Sequence, residues 1–194
     1  MGKLHICFDC DGVLLDFHKG FLSWCLKEHG LRLNALSPMD SYDMHTWFVD
    51  MSKDTFIRLI AEYNSYPRVL EPCEDAVDAL KELARYYDLE FSVLTSFGSC
   101  PQMSNFRQEY LQVVFNNIFK EIRVLKLREC KKDALIDMNP DVFVEDCAEY
   151  AITGRELGIK TYLVNTTYNQ GVEGVTYINS LVDLIGLNSK GELI

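Results

Sequence analysis

Short apolar runs alternate along this chain with stretches whose apolar residues recur at helical spacing. Leu4–Phe8, Glu90–Leu94, Glu121–Leu125, Val142–Val144 and Thr161–Val164 read as buried strands. Between them, Asp75–Tyr86 sets Ala76, Val77, Ala79, Leu80, Leu83 and Ala84 on one helical face. Phe106–Val114, Lys131–Met138 and Glu149–Leu157 are further helices; Pro140, after Asn139, stops the second of these three, and Gly158 follows the third. This alternation predicts an α/β fold with a Rossmann-like parallel sheet and helices on both faces.

One stretch breaks the rhythm. From about Phe17 to Pro72 the pattern offers no convincing strand. Phe17, Phe21, Trp24, Cys25 and Glu28 follow helical spacing, and Phe56, Ile57, Leu59 and Ile60 mark a second helix behind a Ser52 cap. The division expected is a core of residues 1–16 and 73–194, with 17–72 as a small helical cap inserted after the first strand. There are no internal repeats or low-complexity segments, and Ser189–Ile194 reads as a loose tail.

The length of 194 residues accommodates one packed domain with a modest insertion. A hydrophobic fraction of 48% with 25% charged residues is the balance of a globular protein rather than a disordered chain. The net charge of −10, with no basic stripe, argues against binding a nucleic-acid polymer. A small anionic substrate stays open, because a lysine, backbone N–H groups and a metal ion hold phosphate locally. Of the seven cysteines, only Cys7 and Cys10 match CxxC spacing, in CFDC. With no second ligand pair and no histidine cluster, neither zinc nor redox chemistry follows, and reduced thiols in a cytoplasmic setting are expected. The start MGKLHICFD carries no signal-peptide pattern, lacks the Ser or Thr of a myristoylation site, and no apolar run is long enough to span a membrane. A monomer or homodimer without membrane partners is the expectation.

The chemistry concentrates at strand ends. In HICFDCDGVLLDF, Asp9 and Asp11 follow an apolar strand and precede Gly12, which allows the tight turn that brings both acids into one pocket. The alternative, an ordinary acidic turn, needs neither the buried strand nor matching elements downstream. The Phe91–Val93 strand runs into Leu94-Thr95-Ser96, whose hydroxyls suit phosphate oxygens, although Thr-Ser also caps helices. Lys131 and Lys132 open a short helix; Ala134, Leu135 and Met138 on the i+3, i+4 and i+7 face favour Lys131 as the inward residue, and Lys126 is a third candidate. Glu145 and Asp146 end an apolar strand, where adjacent acids are costly without a cation, and hard oxygen ligands suit magnesium better than zinc.

These elements, in this order, resemble the haloacid dehalogenase-like superfamily of phosphotransferases: DCDGV at Asp9–Val13, Thr95-Ser96, Lys131 or Lys132, and VED at Val144–Asp146. The resemblance spans the core, and the helical insertion stands where that family carries a type 1 cap. Within the superfamily the chain looks most like the 5'(3')-deoxyribonucleotidases, through Leu59–Leu83 (LIAEYNSYPRVLEPCEDAVDALKEL), VLTS and VLLDF. It departs in a longer lysine-to-acid interval, which leaves Lys131 and Lys132 both open, and in Glu-Asp where Asp-Asp is usual.

The resemblance implies that Asp9 is the nucleophile, forming an aspartyl-phosphate, and that Asp11 is the general acid and base. It implies magnesium bound by Asp9, the Asp11 backbone carbonyl and Asp146, with Glu145 in support. Lys131 or Lys132 and Thr95 or Ser96 would hold phosphate oxygens. An acid at Asp11 favours phosphoryl transfer over dehalogenation, since a halide leaves without a proton. The substrate expected is a small phosphate monoester, a (deoxy)nucleoside monophosphate first. A sugar phosphate, or a noncatalytic phosphate- or metal-binding module, are the alternatives. A receiver domain is a poor match, because its phosphoacceptor lies on a later strand, and no GxGxxG follows the first strand as a dinucleotide site requires.

The insertion carries Phe17, His18, Phe21, Trp24, Tyr42, Trp47, Phe48, Tyr63 and Tyr66. Most of these are expected to hold the lobe together, with Phe17, Trp47 and Phe48 the candidates for stacking on a substrate. His5, His18, His29 and His45 form no ligand spacing.

Overall fold

The computed structural model describes residues 3–192 except Pro38, Tyr87, Ser99 and Ser189, with Tyr86 described by its backbone alone. Six strands, β1 (Leu4–Phe8), β2 (Leu89–Ser96), β3 (Phe119–Leu125), β4 (Val142–Glu145), β5 (Lys160–Val164) and β6 (Thr176–Ile178), form one parallel sheet in the order β3-β2-β1-β4-β5-β6. The chain winds outward from β1 in one direction and from β4 in the other, so the crevice between their carboxyl ends is the switch point of the topology. The register pairs Ile6 with Val142 and Phe8 with Val144, and the ladder continues past the strand through the Asp9 N–H to the Val144 carbonyl at 2.8 Å.

Both faces of the central strands are covered, which is why these strands read as continuous apolar runs. Cys7, Leu94 and Phe143 face Ala134, Leu135 and Met138 of helix α5 (Lys132–Met138), with Tyr150 of α6 (Ala148–Glu156) beside them. Ile6, Phe8, Val93 and Val144 belong to the larger cluster, with Ala76, Leu80 and Leu83 of α3 (Ala76–Tyr86), Leu111 of α4 (Pro101–Val114), and the 3-10 helix Leu181–Gly186.

The segment between β1 and α3 contains helix α1 (Phe17–Glu28), a 3-10 turn (Met44–Trp47) and helix α2 (Lys53–Tyr63). Asp16 caps α1 by accepting the Lys19 N–H, and Ser52 caps α2 by accepting the Thr55 N–H. Phe21, Trp24, Phe56 and Tyr63 pack ring against ring, and their cluster runs unbroken into the core of the sheet. The chain enters and leaves this segment side by side: the Asp16 N–H donates to the Glu71 carbonyl and the Cys73 N–H to the Leu14 carbonyl, each at 2.9 Å.

Four details depart from the sequence pattern. β6 is a short edge strand whose three residues carry too little periodicity to register. β2 runs to Ser96, so Thr95 and Ser96 belong to the strand tip. α4 begins at Pro101, ahead of the periodic stretch, with the proline at the helix start where its missing N–H costs nothing. The tail is fastened as far as it is described: Gly191 is buried, and its carbonyl accepts the Tyr162 hydroxyl at 2.7 Å. Ser189, Leu193 and Ile194 of that tail lie outside the described residues, as do Met1 and Gly2. Among the described residues no helix is long and apolar enough to cross a membrane.

Candidate active site

β1 delivers Asp9 to the switch point, and the chain then turns at once. The Leu14 and Leu15 N–H groups both donate to the Cys10 carbonyl at 2.9 Å, and Gly12 sits at φ +88°. That backbone favours glycine, and so does the space, because a Cβ at Gly12 would collide with the Asp146 carboxylate. The turn that follows Asp9 and the acid that follows β4 thus fit together only with no side chain at position 12.

Asp9, Glu145 and Asp146 are buried, and each offers an oxygen within 4.8 Å of the others. Lys131, only 1% exposed, is the ammonium among them, donating to Asp9 Oδ1 at 2.5 Å and to Glu145 Oε2 at 3.2 Å. Burial pushes the Asp9 carboxyl up to about 6, with Lys131 opposing and Asp146 and Asp11 adding to the rise. Burial also lifts Asp146 to about 6 against the hydrogen bond it receives from Tyr168, and raises Glu145 well above the usual carboxylate range. For Lys131 burial pulls the other way, but Asp9 and Glu145 outweigh it and hold the ammonium above its ordinary value. Three buried carboxylates against one ammonium leave negative charge uncompensated. An all-oxygen donor set with that excess fits a divalent hard cation.

Of the phosphate-binding candidates, Lys131 is in the cluster, whereas Lys132 is exposed on the first turn of α5 and takes no part. Thr95 is buried at the tip of β2, and Ser96 beside it gives its hydroxyl to the Lys126 carbonyl at 2.6 Å. Both border a cavity of about 660 Å³ that also exposes Asp9, Asp11, Lys131 and Glu145. The insertion supplies Phe17, His18, Tyr42, Met44, Phe56, Ile57 and Ile60 to the same cavity. Of the three expected stacking residues only Phe17 is there. Trp47 and Phe48 are buried and do not border it: the Trp47 ring lies toward His18 and Tyr168, and Phe48 is bridged to Leu33. Aromatic bulk needed to fill the lobe has claimed them.

Three residues with no motif around them join the site. Arg107 on α4 is 2% exposed, pairs with Asp11 Oδ1, and donates to Cys10 Sγ at 3.2 Å while lying over the Phe97 ring. Tyr168 and Asn169, after β5, both bond Asp146. Burial of an arginine at helical position 107 gives no periodic signal, and the loop after β5 has none.

Sheet order and the helical segment after β1 make this an α/β Rossmann-like fold, one that solved haloacid-dehalogenase-like hydrolases share. Solved structures that share it include CbbY from Rhodobacter sphaeroides in complex with phosphate, 13% identical, matched over 95% of this chain and 96% of that one at a TM-score of 0.57. YfnB of Bacillus subtilis, described as a HAD-hydrolase bound to magnesium, is 10% identical over 93% and 96% at 0.56. L-2-haloacid dehalogenase from Xanthobacter autotrophicus, with chloropropionic acid covalently bound, is 15% identical over 96% and 98% at 0.53. No family model matches the sequence, and no curated protein matches it.

Proposed function

We propose that this protein is a magnesium-dependent phosphomonoester hydrolase that works through a phosphorylated Asp9 and acts on (deoxy)nucleoside monophosphates, with residues 17–72 as the cap over its site. The observation that carries the reading is the buried cluster of Asp9, Lys131, Glu145 and Asp146, of which Asp9, Lys131 and Glu145 border the 660 Å³ cavity. Asp9, as the carboxylate, attacks phosphorus in line, and the bond to the leaving oxygen breaks. Asp11, entering the step as the acid with its proton on the oxygen that Arg107 leaves free, gives that proton to the leaving oxygen and becomes the carboxylate. Asp11 then takes a proton from the water that hydrolyses the aspartyl-phosphate, which returns Asp9 and releases phosphate. Lys131 and the Thr95 hydroxyl hold phosphoryl oxygens as charge redistributes. Asp9 and Asp146, with Glu145 in support and the Asp11 carbonyl as a further candidate, would hold magnesium, which would supply countercharge for the phosphate and for the carboxylates around it.

The cavity volume is ordinary for a small-molecule site. Phe17, Tyr42, Met44, Phe56, Ile57 and Ile60 offer a nucleobase an apolar surface, and Ser41, Asp43, Asn64 and Arg128 on the same lining offer hydrogen bonds to a sugar; the apolar stretch is what supports a nucleotide. The test is phosphate release with magnesium over nucleoside monophosphates and sugar phosphates, beside halide release from 2-haloacids. A deoxynucleotide is expected to be the best substrate. A sugar phosphate in first place overturns the specificity, halide release overturns the reaction, and no turnover of any compound favours a noncatalytic module.

Metal binding has its own readout. In chelator, Asp9 and Asp146 keep their protons to higher pH in the folded chain than their ordinary value of 3.8 allows when unfolded. Their contribution to stability therefore falls as pH rises from about 4 through about 6. Magnesium at about a hundred times its dissociation constant is expected to raise the melting temperature by roughly 5–10 °C at pH 7.5. At pH 5 the cation must displace protons, so a smaller rise is expected; an equal or larger rise there counts against these ligands.

A further inference from the structure

Asp146 is held from two sides by the loop that follows β5. The Tyr168 hydroxyl donates to Asp146 Oδ2 at 2.5 Å, and Asn169 Nδ2 donates to the Asp146 carbonyl at 2.8 Å and to the Val164 carbonyl at 2.7 Å. Asn169 is itself 2% exposed, and its carbonyl accepts the Tyr177 hydroxyl at 2.5 Å. The loop is thus bolted to β5 and to β6 before it touches the acid.

The same loop grips the insertion. The Thr167 hydroxyl donates to the Met39 carbonyl at 2.7 Å. The Tyr168 ring lies 5.0 Å from the His18 ring and 5.7 Å from the Tyr42 ring, with Trp47 at 6.4 Å. Its hydroxyl meets the core and its ring meets the insertion. This gives Trp47, which does not border the cavity, a place in the structure beyond filling the lobe.

We propose that Tyr168 is a positioning residue for Asp146 and couples the cation site to the insertion: the hydroxyl sets the carboxylate's rotation, and the ring, braced by His18, Tyr42 and Trp47, transmits the insertion's position to it. This role rests on the reading of Asp146 as a cation ligand. Groups that orient a ligand from behind are worth about 10–100-fold in metal affinity or activity. Tyr168 differs from such a group in that its other contacts belong to a segment reading as a cap, so occupancy of the cation site and placement of residues 39–47 would depend on one another by linkage.

The experiment compares the full chain with Tyr168→Phe, which keeps the ring and loses the hydroxyl. Manganese(II) binding, read by electron paramagnetic resonance, is expected to weaken about 10-fold or more in the variant, with the melting temperature in chelator little changed. Hydrogen exchange across residues 39–47 is expected to slow when manganese binds the wild type, and to slow much less in the variant. Equal manganese affinity in the two proteins overturns the positioning role, and the absence of any manganese-dependent protection in the wild type overturns the coupling. A wild type that binds no manganese removes both this inference and the metal site beneath it. One that binds manganese but hydrolyses no monoester removes the hydrolase reading and leaves this inference standing.

Discussion

Asp9→Asn is expected to lower phosphate release by about 10⁴–10⁶-fold, the scale on which removal of a catalytic nucleophile acts. The replacement is isosteric, and its amide oxygen still accepts the Lys131 ammonium, so the geometry of the cluster survives. What would disappear is the anionic oxygen nucleophilic enough to attack phosphorus, together with the charge that would help hold the cation. Stability is not expected to suffer in proportion. Burial already lifts the Asp9 carboxyl to about 6, which means that the fold disfavours its charge near neutral pH. A neutral amide relieves repulsion with Asp146 while giving up part of the attraction to Lys131. The melting temperature in chelator should therefore stay close to that of the wild type.

A second readout separates loss of the nucleophile from loss of the metal. Wild-type protein quenched during turnover should carry one phosphoryl group on the peptide containing Asp9, and the Asn variant should carry none. If the variant keeps more than about 1% of wild-type turnover, a loss far short of that expected for a nucleophile, Asp9 is not the attacking group. Asp11→Asn offers a comparison, since it leaves the nucleophile in place. It should still allow the first step with a substrate whose leaving oxygen needs no proton, such as an aryl phosphate, and should accumulate the phosphorylated form.

The parts of this molecule that are readable in sequence are those where local pattern and chemistry coincide. Leu4–Phe8 is apolar because β1 is covered on both faces, and the two acids after it stand out because they interrupt an otherwise apolar run from Ile6 to Leu15. Between Lys131 and Lys132, periodicity favours the first, since only position 131 shares a face with Ala134, Leu135 and Met138; the packing of α5 is what decides it. Arg107 is the opposite case. It meets Asp11 across 96 positions of chain, from a helix whose pattern says nothing about a buried cation. Tyr168 and Asn169 sit in a polar loop without period, and they reach Asp146 because β5, which precedes that loop, lies beside β4. The segment between β1 and α3 is legible as helical and aromatic, but which rings turn inward depends on how its helices lie on the sheet. That is why Trp47 and Phe48 are packed away while Tyr42 and Phe56 border the cavity.

Lys131→Met should produce the largest combined effect on stability and turnover. The ammonium is the partner of both Asp9 and Glu145. Removing one member of a buried pair typically costs about 3–5 kcal/mol, because the remaining charge has neither water nor a partner. For a chain of this size that corresponds to a fall of roughly 6–20 °C in melting temperature, measured in chelator at neutral pH. Turnover should fall by about 10²–10³-fold or more, as it does when a preorganised donor to a developing negative charge is lost. The two losses should respond differently to magnesium. With the ammonium gone, the carboxylates hold a larger excess of negative charge, so the cation should restore more melting temperature to the variant than it adds to the wild type. It should not restore turnover, because a cation shared among the carboxylates does not replace a donor aimed at the phosphoryl oxygens. Lys132→Met, one residue away on the exposed face of α5, supplies the control and should change stability by no more than about 0.5 kcal/mol. If the two substitutions behave alike, the ammonium at position 131 does not serve Asp9, and the charge balance argued for the whole cluster fails with it.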